Sequence, residues 1–494
     1  MKKLGSILIV LALAVTMLIT LTPAQADTAS TSTFQPCTLN ILLLGNQPGD
    51  MANVVPAIQT QLAADGLPFT LNFQFLADYW NQLALAIAGG ESDDVAWAHI
   101  STLSGLVAKG VYQPIDDAVA QYAPDVKANT PDYVLKSGMV GGKLYALPRV
   151  IPMAEYRNCY LIRGDLREKY GIAPITTLDG FNQYLAAIKA NEPDMFPLAG
   201  DYNVEPLFPV YANYYFPVGD GGRYPVYVDP TDPTHTVKTF FDSDAAANVF
   251  AEVQNRVTNG YIPTDDSKIT SATSGFENGM VGAIPSNNFS ESEDIDTFTQ
   301  NLPGASIETV LLNPSPAYIY QSADNMLAVP STSTHVNEAV SLINWIKSSQ
   351  DNYDLWTYGV KGVNYNLDGN SVSLDGIATD KTYTTMSWMW NDLNLARFSK
   401  NLPQTYLDQL KSWDSAAVQT PFIGFALDQS DITAQVGNVD AVLQEYYPAL
   451  CKGTMNYADV KDDLMQKLND SGIQDIVNAV QTQLNAYLAA TPAQ

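Results

Sequence analysis

The sequence predicts an α/β protein of two lobes, each a mostly parallel sheet flanked by helices. Three observations predict this. Short apolar runs alternate with helical periodicity from residue 38 onward, the alternation restarts near residue 150, and 494 residues exceed what one core accommodates.

The chain opens with Lys2 and Lys3, an apolar run from Ile7 to Leu21, and Ala24-Gln25-Ala26 before Asp27. That order reads as an export signal over residues 1–26, removed by cleavage, because the run is short for a bilayer span and no basic stop-transfer cluster follows. Residues 27–37 are mostly Ser, Thr, Ala and Gln and are expected to form a flexible leader.

Folded structure is expected from Thr38. Leu39 to Leu44 reads as a buried strand, Val54, Val55, Ile58 and Leu62 recur at helical spacing up to Gly66, and Phe69 to Leu76 reads as a second strand. A helix through Trp80, Leu83 and Ile87 follows. Asp94 to Ile100 is a third strand, and the next helix closes at Lys109-Gly110, a cation and a glycine at a helix carboxyl end. Strands separated by helices imply crossover units on parallel strands.

The pattern resumes at Arg157 to Arg163, with helices at Asp165–Tyr170 and at Leu178–Ala190, the latter capped by Thr177. Residues 197–240, dense in Pro, Gly, Tyr and Phe, read as aromatic loops and short strands. Beyond them come a helix at 244–259, a strand at 325–329, a helix at 337–348 and two amphipathic helices at 457–469 and 473–488. Residues 367–376 read as a turn-rich hairpin, since they lack the acidic spacing of a calcium loop. The expected division is 38–148 plus 307–350 for one lobe and 149–306 plus 351–494 for the other.

The net charge of −27 repels phosphate backbones, so nucleic acid is not expected as a partner and a neutral ligand fits best. Cys37, Cys159 and Cys451 show no metal-ligand or redox spacing; buried thiols are expected, with a Cys37–Cys451 disulfide as the alternative. No motif for nucleophilic catalysis, zinc or phosphate binding surrounds His99, His235 or His335. No catalytic residue, metal or cofactor is therefore expected. A glycoside hydrolase stays open as an alternative, because its paired carboxylates leave no local signature.

Several stretches are more specific. Gly89-Gly90-Glu91-Ser92-Asp93-Asp94-Val95, Ala108-Lys109-Gly110-Val111-Tyr112-Gln113-Pro114-Ile115-Asp116, and Gly142-Lys143-Leu144-Tyr145-Ala146-Leu147-Pro148 occur in order. They are followed by Asp165-Leu166-Arg167-Glu168-Lys169-Tyr170-Gly171-Ile172, Tyr358 to Tyr365, Gly424-Phe425-Ala426-Leu427-Asp428, and Glu445-Tyr446-Tyr447-Pro448-Ala449-Leu450. In order and spacing these resemble the family 1 extracellular solute-binding proteins of ABC transporters, in the aldouronate and complex-carbohydrate branch. Two positions depart from that branch: no lipid-acceptor cysteine stands at the cleavage point, and Asn391-Asp392 replaces its "GN".

The resemblance implies a periplasmic-binding-protein type II-like fold with ligand in an interlobe cleft. It also implies hinge closure and delivery of a carbohydrate, an oligosaccharide by the branch, to membrane permease subunits. The protein would be a monomer, periplasmic or held at the cell surface without a lipid anchor; a binding module for a sensor or for adhesion is a further alternative. Sugars present apolar C–H faces and a rim of hydroxyls, which call for aromatic platforms beside amide, carboxylate and guanidinium groups. Open α/β sheets bind ligands at the carboxyl ends of their strands. The candidates are accordingly Asp78, Tyr79 and Trp80, Trp97 and His99, Tyr156, Arg157 and Asn158, Tyr214, and Trp388 and Trp390.

Overall fold

The computed structural model describes residues 34–491 apart from 90–92, 155–157, 201–203, 220–222, 264–268, 270, 313–316 and 320–322. The expected signal and residues 27–33 of the expected leader lie outside the described residues, as do Tyr156 and Arg157, whereas the leader's last residues belong to the fold, Phe34 packing in the first core and Cys37 opening the first strand.

The first lobe is a five-stranded sheet. β1 (Cys37–Leu44) lies between β2 (Phe69–Leu76) and β3 (Val95–His99), parallel to both. Asn325–Ala328 then runs antiparallel to β3 and to Ala146–Pro148, which closes the far edge. β1 buries Leu39 and Ile41 on one face and Leu42 on the other, which suits a strand covered by helices on both sides. α1 (Met51–Ala64) turns Met51, Val54, Ile58 and Leu62 inward at the spacing of one helical face. α2 (Tyr79–Ala88) and α3 (Ile100–Ala108) follow β2 and β3, leaving the carboxyl ends of the strands facing the second lobe.

The second lobe departs from the expected parallel arrangement. Its three-stranded sheet has Cys159–Arg163 at the centre, antiparallel to both Ala283–Ser286 and Ile307–Leu311. All five residues of the central strand are buried. Such a run announces two covered faces, but carries no information on the direction of its neighbours. Helices pack around this sheet: Leu178–Asn191, Asp244–Thr258, Thr433–Cys451, Tyr457–Asp470 and Ile473–Ala490. Thr177 caps the first of them, its hydroxyl accepting from the Gly180 N–H at 3.2 Å, as expected.

The packing also redraws the division expected at residues 307 and 350. Ile307–Leu311 belongs to the second sheet, whereas Tyr353, Trp356, Tyr383, Met389 and Trp390 are buried in the first core. The chain thus returns to the first lobe once, and that return runs past residue 350 to about Trp390. Cys37 packs against the first core and Cys451 lies in the second, so no disulfide joins them. The expected hairpin forms, Asn366–Asp368 pairing antiparallel with Ser371–Ser373 around Gly369, whose φ of 62° the tight turn requires.

Three segments cross between the lobes, and buried groups tie them together. The Val150 N–H donates to the Asn391 carbonyl and the Leu393 N–H to the Val150 carbonyl, both at 2.7 Å. Arg149 forms an ion pair with Asp324 at 2.8 Å and donates to the Trp388 carbonyl at 3.0 Å. The Lys347 ammonium, its pKa pushed down by burial, donates to the Pro148 carbonyl at 3.0 Å and stands 3.5 Å from Asp392. On the second-lobe side the Asp414 carboxylate accepts from the Met153 and Ala154 N–H groups and from the Tyr133 hydroxyl of the first lobe.

One buried carboxyl in the second lobe gives a pH-dependent expectation. Glu291 is 2 % exposed and accepts from the Thr309 hydroxyl at 2.6 Å; burial pushes its pKa up to about 7. A carboxyl whose folded pKa is raised loses stability as pH climbs from its unfolded value through the folded one. At pH 8 the charged form costs about 3 kcal/mol, and near pH 4 almost nothing. Glu291→Gln should therefore raise the urea midpoint at pH 8 and leave it nearly unchanged at pH 4. A variant with the same gain at both pH values would show that ionisation is not the cause.

The cleft between the lobes

A cleft of about 1010 Å³, its open mouth included, separates the two cores at the carboxyl end of β3. The first lobe contributes His99 from the end of β3, Ser101 and Ser104 from the amino-terminal half of α3, Lys136, Ser137 and Met139 from the segment after a short helix, and Asp324. The second lobe contributes rings: Tyr215, Phe216 and Tyr224 from the Pro- and Gly-rich loops, and Phe422 and Phe425. One wall is thus polar and the other aromatic.

Local structure explains each wall. His99 is the amino-terminal cap of α3; its Nδ1 lies 3.3 Å from the Ser101 N–H and 2.7 Å from the Ser101 hydroxyl, which fixes the ring where the strand ends. Phe216 and Tyr224 stack face on face with centroids 4.2 Å apart and an interplanar angle of 11°, both rings half-buried, so a ligand would meet one ring face of the stack. Tyr215 packs beside Phe422 at 5.3 Å and donates its hydroxyl to the Phe425 carbonyl at 3.2 Å. Gly424, at φ +89°, brings the second lobe against the first, since a β-carbon there would lie 3.1 Å from the Lys136 Cβ. No L side chain suits that backbone conformation or that approach.

Of the sequence candidates described, His99 lines this cleft. Tyr79 is buried, its hydroxyl donating to the Trp97 carbonyl at 2.6 Å. Trp97 is buried on β3 and donates to the Asn325 side chain at 2.9 Å. Trp388 lies edge-on to it, with centroids 5.4 Å apart. Trp390 is buried against Trp356 and donates to the Thr357 hydroxyl at 3.1 Å. Tyr214 and Asn158 are buried in the second lobe, and Asp78 is exposed where α2 begins. Tyr156, Arg157 and the side chain of Trp80 lie outside the described residues. The residues missed are Lys136, Asp324, Tyr215, Phe216, Tyr224, Phe422 and Phe425. The signals were present in the aromatic loops 197–240 and in Gly424-Phe425, but alternate loop residues face opposite ways and Tyr214 is the inward one.

The described lining of the cleft offers rings and hydrogen-bonding groups to a ligand. Asp324 is the carboxylate among the described lining residues, and Arg149 holds it. Among the described residues no group of three His, Cys, Asp or Glu side chains could hold a metal ion.

Two lobes on a tied three-segment crossing, with rings facing polar groups across a cleft, define a hinged ligand-capturing protein. Residues 59–367 match the model of the bacterial extracellular solute-binding proteins, and the chain belongs to that family. Residues 421–489 match a domain of unknown function. A carbohydrate ABC transporter substrate-binding protein of Streptococcus pneumoniae serotype 4 is 21 % identical over 457 residues, covering 90 % of each chain. The crystal structure of the N-glycan transport solute binding protein NgtS from Streptococcus pneumoniae superposes with a TM-score of 0.77 at 19 % identity, covering 92 % of this chain and 99 % of that one. The same protein in complex with Man5GlcNAc gives 0.70 at 20 % identity, covering 93 % and 100 %. Among the described residues no helix is long and apolar enough to cross a membrane.

Proposed function

We propose that the protein captures a carbohydrate, an oligosaccharide, in the interlobe cleft and delivers it unchanged to the permease subunits of an ABC importer. The observation that carries this is the stacked Phe216–Tyr224 platform facing the polar wall of His99, Ser101, Ser104 and Ser137. A sugar ring stacks its C–H face on such a platform while its hydroxyls meet the opposite wall. The relatives carry carbohydrate ligands by name and lend the same direction. In this reading the protein acts as a monomer outside the cytoplasmic membrane, and its net charge of −27 disfavours nucleic acid as a partner.

The test is a thermal-shift screen over mono- and oligosaccharides followed by analysis of the recovered sugar. A cognate glycan at 100 times its dissociation constant should add about 2.7 kcal/mol of stability and return intact. Shortened glycan would favour a hydrolase, and a panel without any stabilising sugar would end the carbohydrate reading.

A further inference from the structure

Part of the second-lobe wall of the cleft is built on backbone that belongs to no helix or strand. Residues 422–428 form an irregular turn, and Phe422, Gly424, Phe425, Ala426 and Leu427 within it line the cleft. Inside the turn the Phe425 N–H donates to the Phe422 carbonyl at 2.9 Å. A segment without a ladder of its own takes its shape from the groups that satisfy its remaining backbone polar atoms.

The final helix, Ile473–Ala490, supplies such groups at both ends of the segment. Near its start the Tyr487 hydroxyl donates to the Ile423 carbonyl at 2.5 Å, and the Tyr487 ring lies 5.6 Å from that of Phe425. At its end the Gln483 amide accepts from the Asp428 N–H and donates to the Asp428 carbonyl, both at 2.8 Å. Gln483 and Tyr487 stand four residues apart, which puts them on one face of the helix. Gly424 permits the approach, because a β-carbon there would lie 3.0 Å from the Tyr487 hydroxyl. The helix is itself fixed by Ile476, Val480 and Leu484, all buried in the second core.

We infer that Gln483 and Tyr487 are positioning residues of the ligand site. Neither lines the cleft; together they hold the turn from which Phe422 and Phe425 present the second-lobe wall. Residues 421–489, the domain of unknown function, thereby acquire a role: they carry part of the wall at their beginning and the helix that shapes it at their end. The inference rests on the cleft being the carbohydrate site and says what sets its shape.

The test is the double variant Gln483→Met, Tyr487→Phe in the full chain, which removes these three bonds and nearly conserves volume. The Phe425 amide is bonded to the Phe422 carbonyl and to neither side chain, and its hydrogen exchange, read by mass spectrometry, should become about tenfold faster. Affinity should fall about tenfold for whichever of maltotriose, cellotriose, mannotriose and chitotriose stabilises the unaltered protein most. Tyr457→Phe deletes the same kind of bond, from a hydroxyl to the Phe241 carbonyl, elsewhere in the same domain, and should change neither readout. Unchanged exchange at Phe425 overturns the inference, as does faster exchange with unchanged affinity or an equal response to Tyr457→Phe. If none of the four sugars stabilises the protein, it is the carbohydrate reading that loses support, and exchange at Phe425 decides the positioning role alone.

Discussion

Replacing Phe216 by alanine should weaken binding of the cognate glycan about thirtyfold, read by isothermal calorimetry. Phe216 stacks face on face with Tyr224, and removing it takes one ring from the stack and leaves Tyr224 free to tilt. Deleting one ring of a desolvated stacking platform costs about 2 kcal/mol, which is that factor in dissociation constant. The control is Tyr79→Phe. Its hydroxyl bonds the Trp97 carbonyl within the first core, so its loss should lower the unfolding midpoint while affinity stays within about twofold. If instead Tyr79→Phe weakened binding and Phe216→Ala did not, the ligand would lie along the β2–α2 edge and the cleft assignment would fall.

That pair of variants separates two ways of choosing site residues. The carboxyl ends of strands were legible: β2 is placed at Phe69–Leu76 by its alternation, β3 ends at His99, and His99 does line the cleft. Tyr79 and Trp97 stand at the same edge but point into the core, because a strand end fixes where a side chain starts and not which face it takes. The second-lobe wall was less legible still. Loop residues 215–224 have no period from which to read orientation, and the rings of Phe422 and Phe425 reach the cleft from far along the sequence. The antiparallel second sheet was hidden for a related reason, since its buried central strand is compatible with neighbours in either direction.

The expected division placed the first crossing, at residues 148–149, and misplaced the other two, and the crossing segments carry the largest expected stability effect. Asp324→Ala should cost about 3 to 5 kcal/mol, read as a lower urea midpoint with the slope unchanged. Both members of the Arg149–Asp324 pair are 3 % exposed, so removing the carboxylate strands a guanidinium where water cannot replace its partner. Replacing both by apolar residues of similar size, as in Arg149→Met with Asp324→Leu, should recover most of the loss, because no buried charge then remains. The exposed pair Lys400–Asp368 offers the contrast: Asp368→Ala should leave the midpoint where it was. A loss below about 1 kcal/mol for Asp324→Ala would mean that water reaches Arg149 at the root of the hinge. The crossing segments would then be held by their backbone bonds at Val150 and by Asp414 rather than by the buried ion pair.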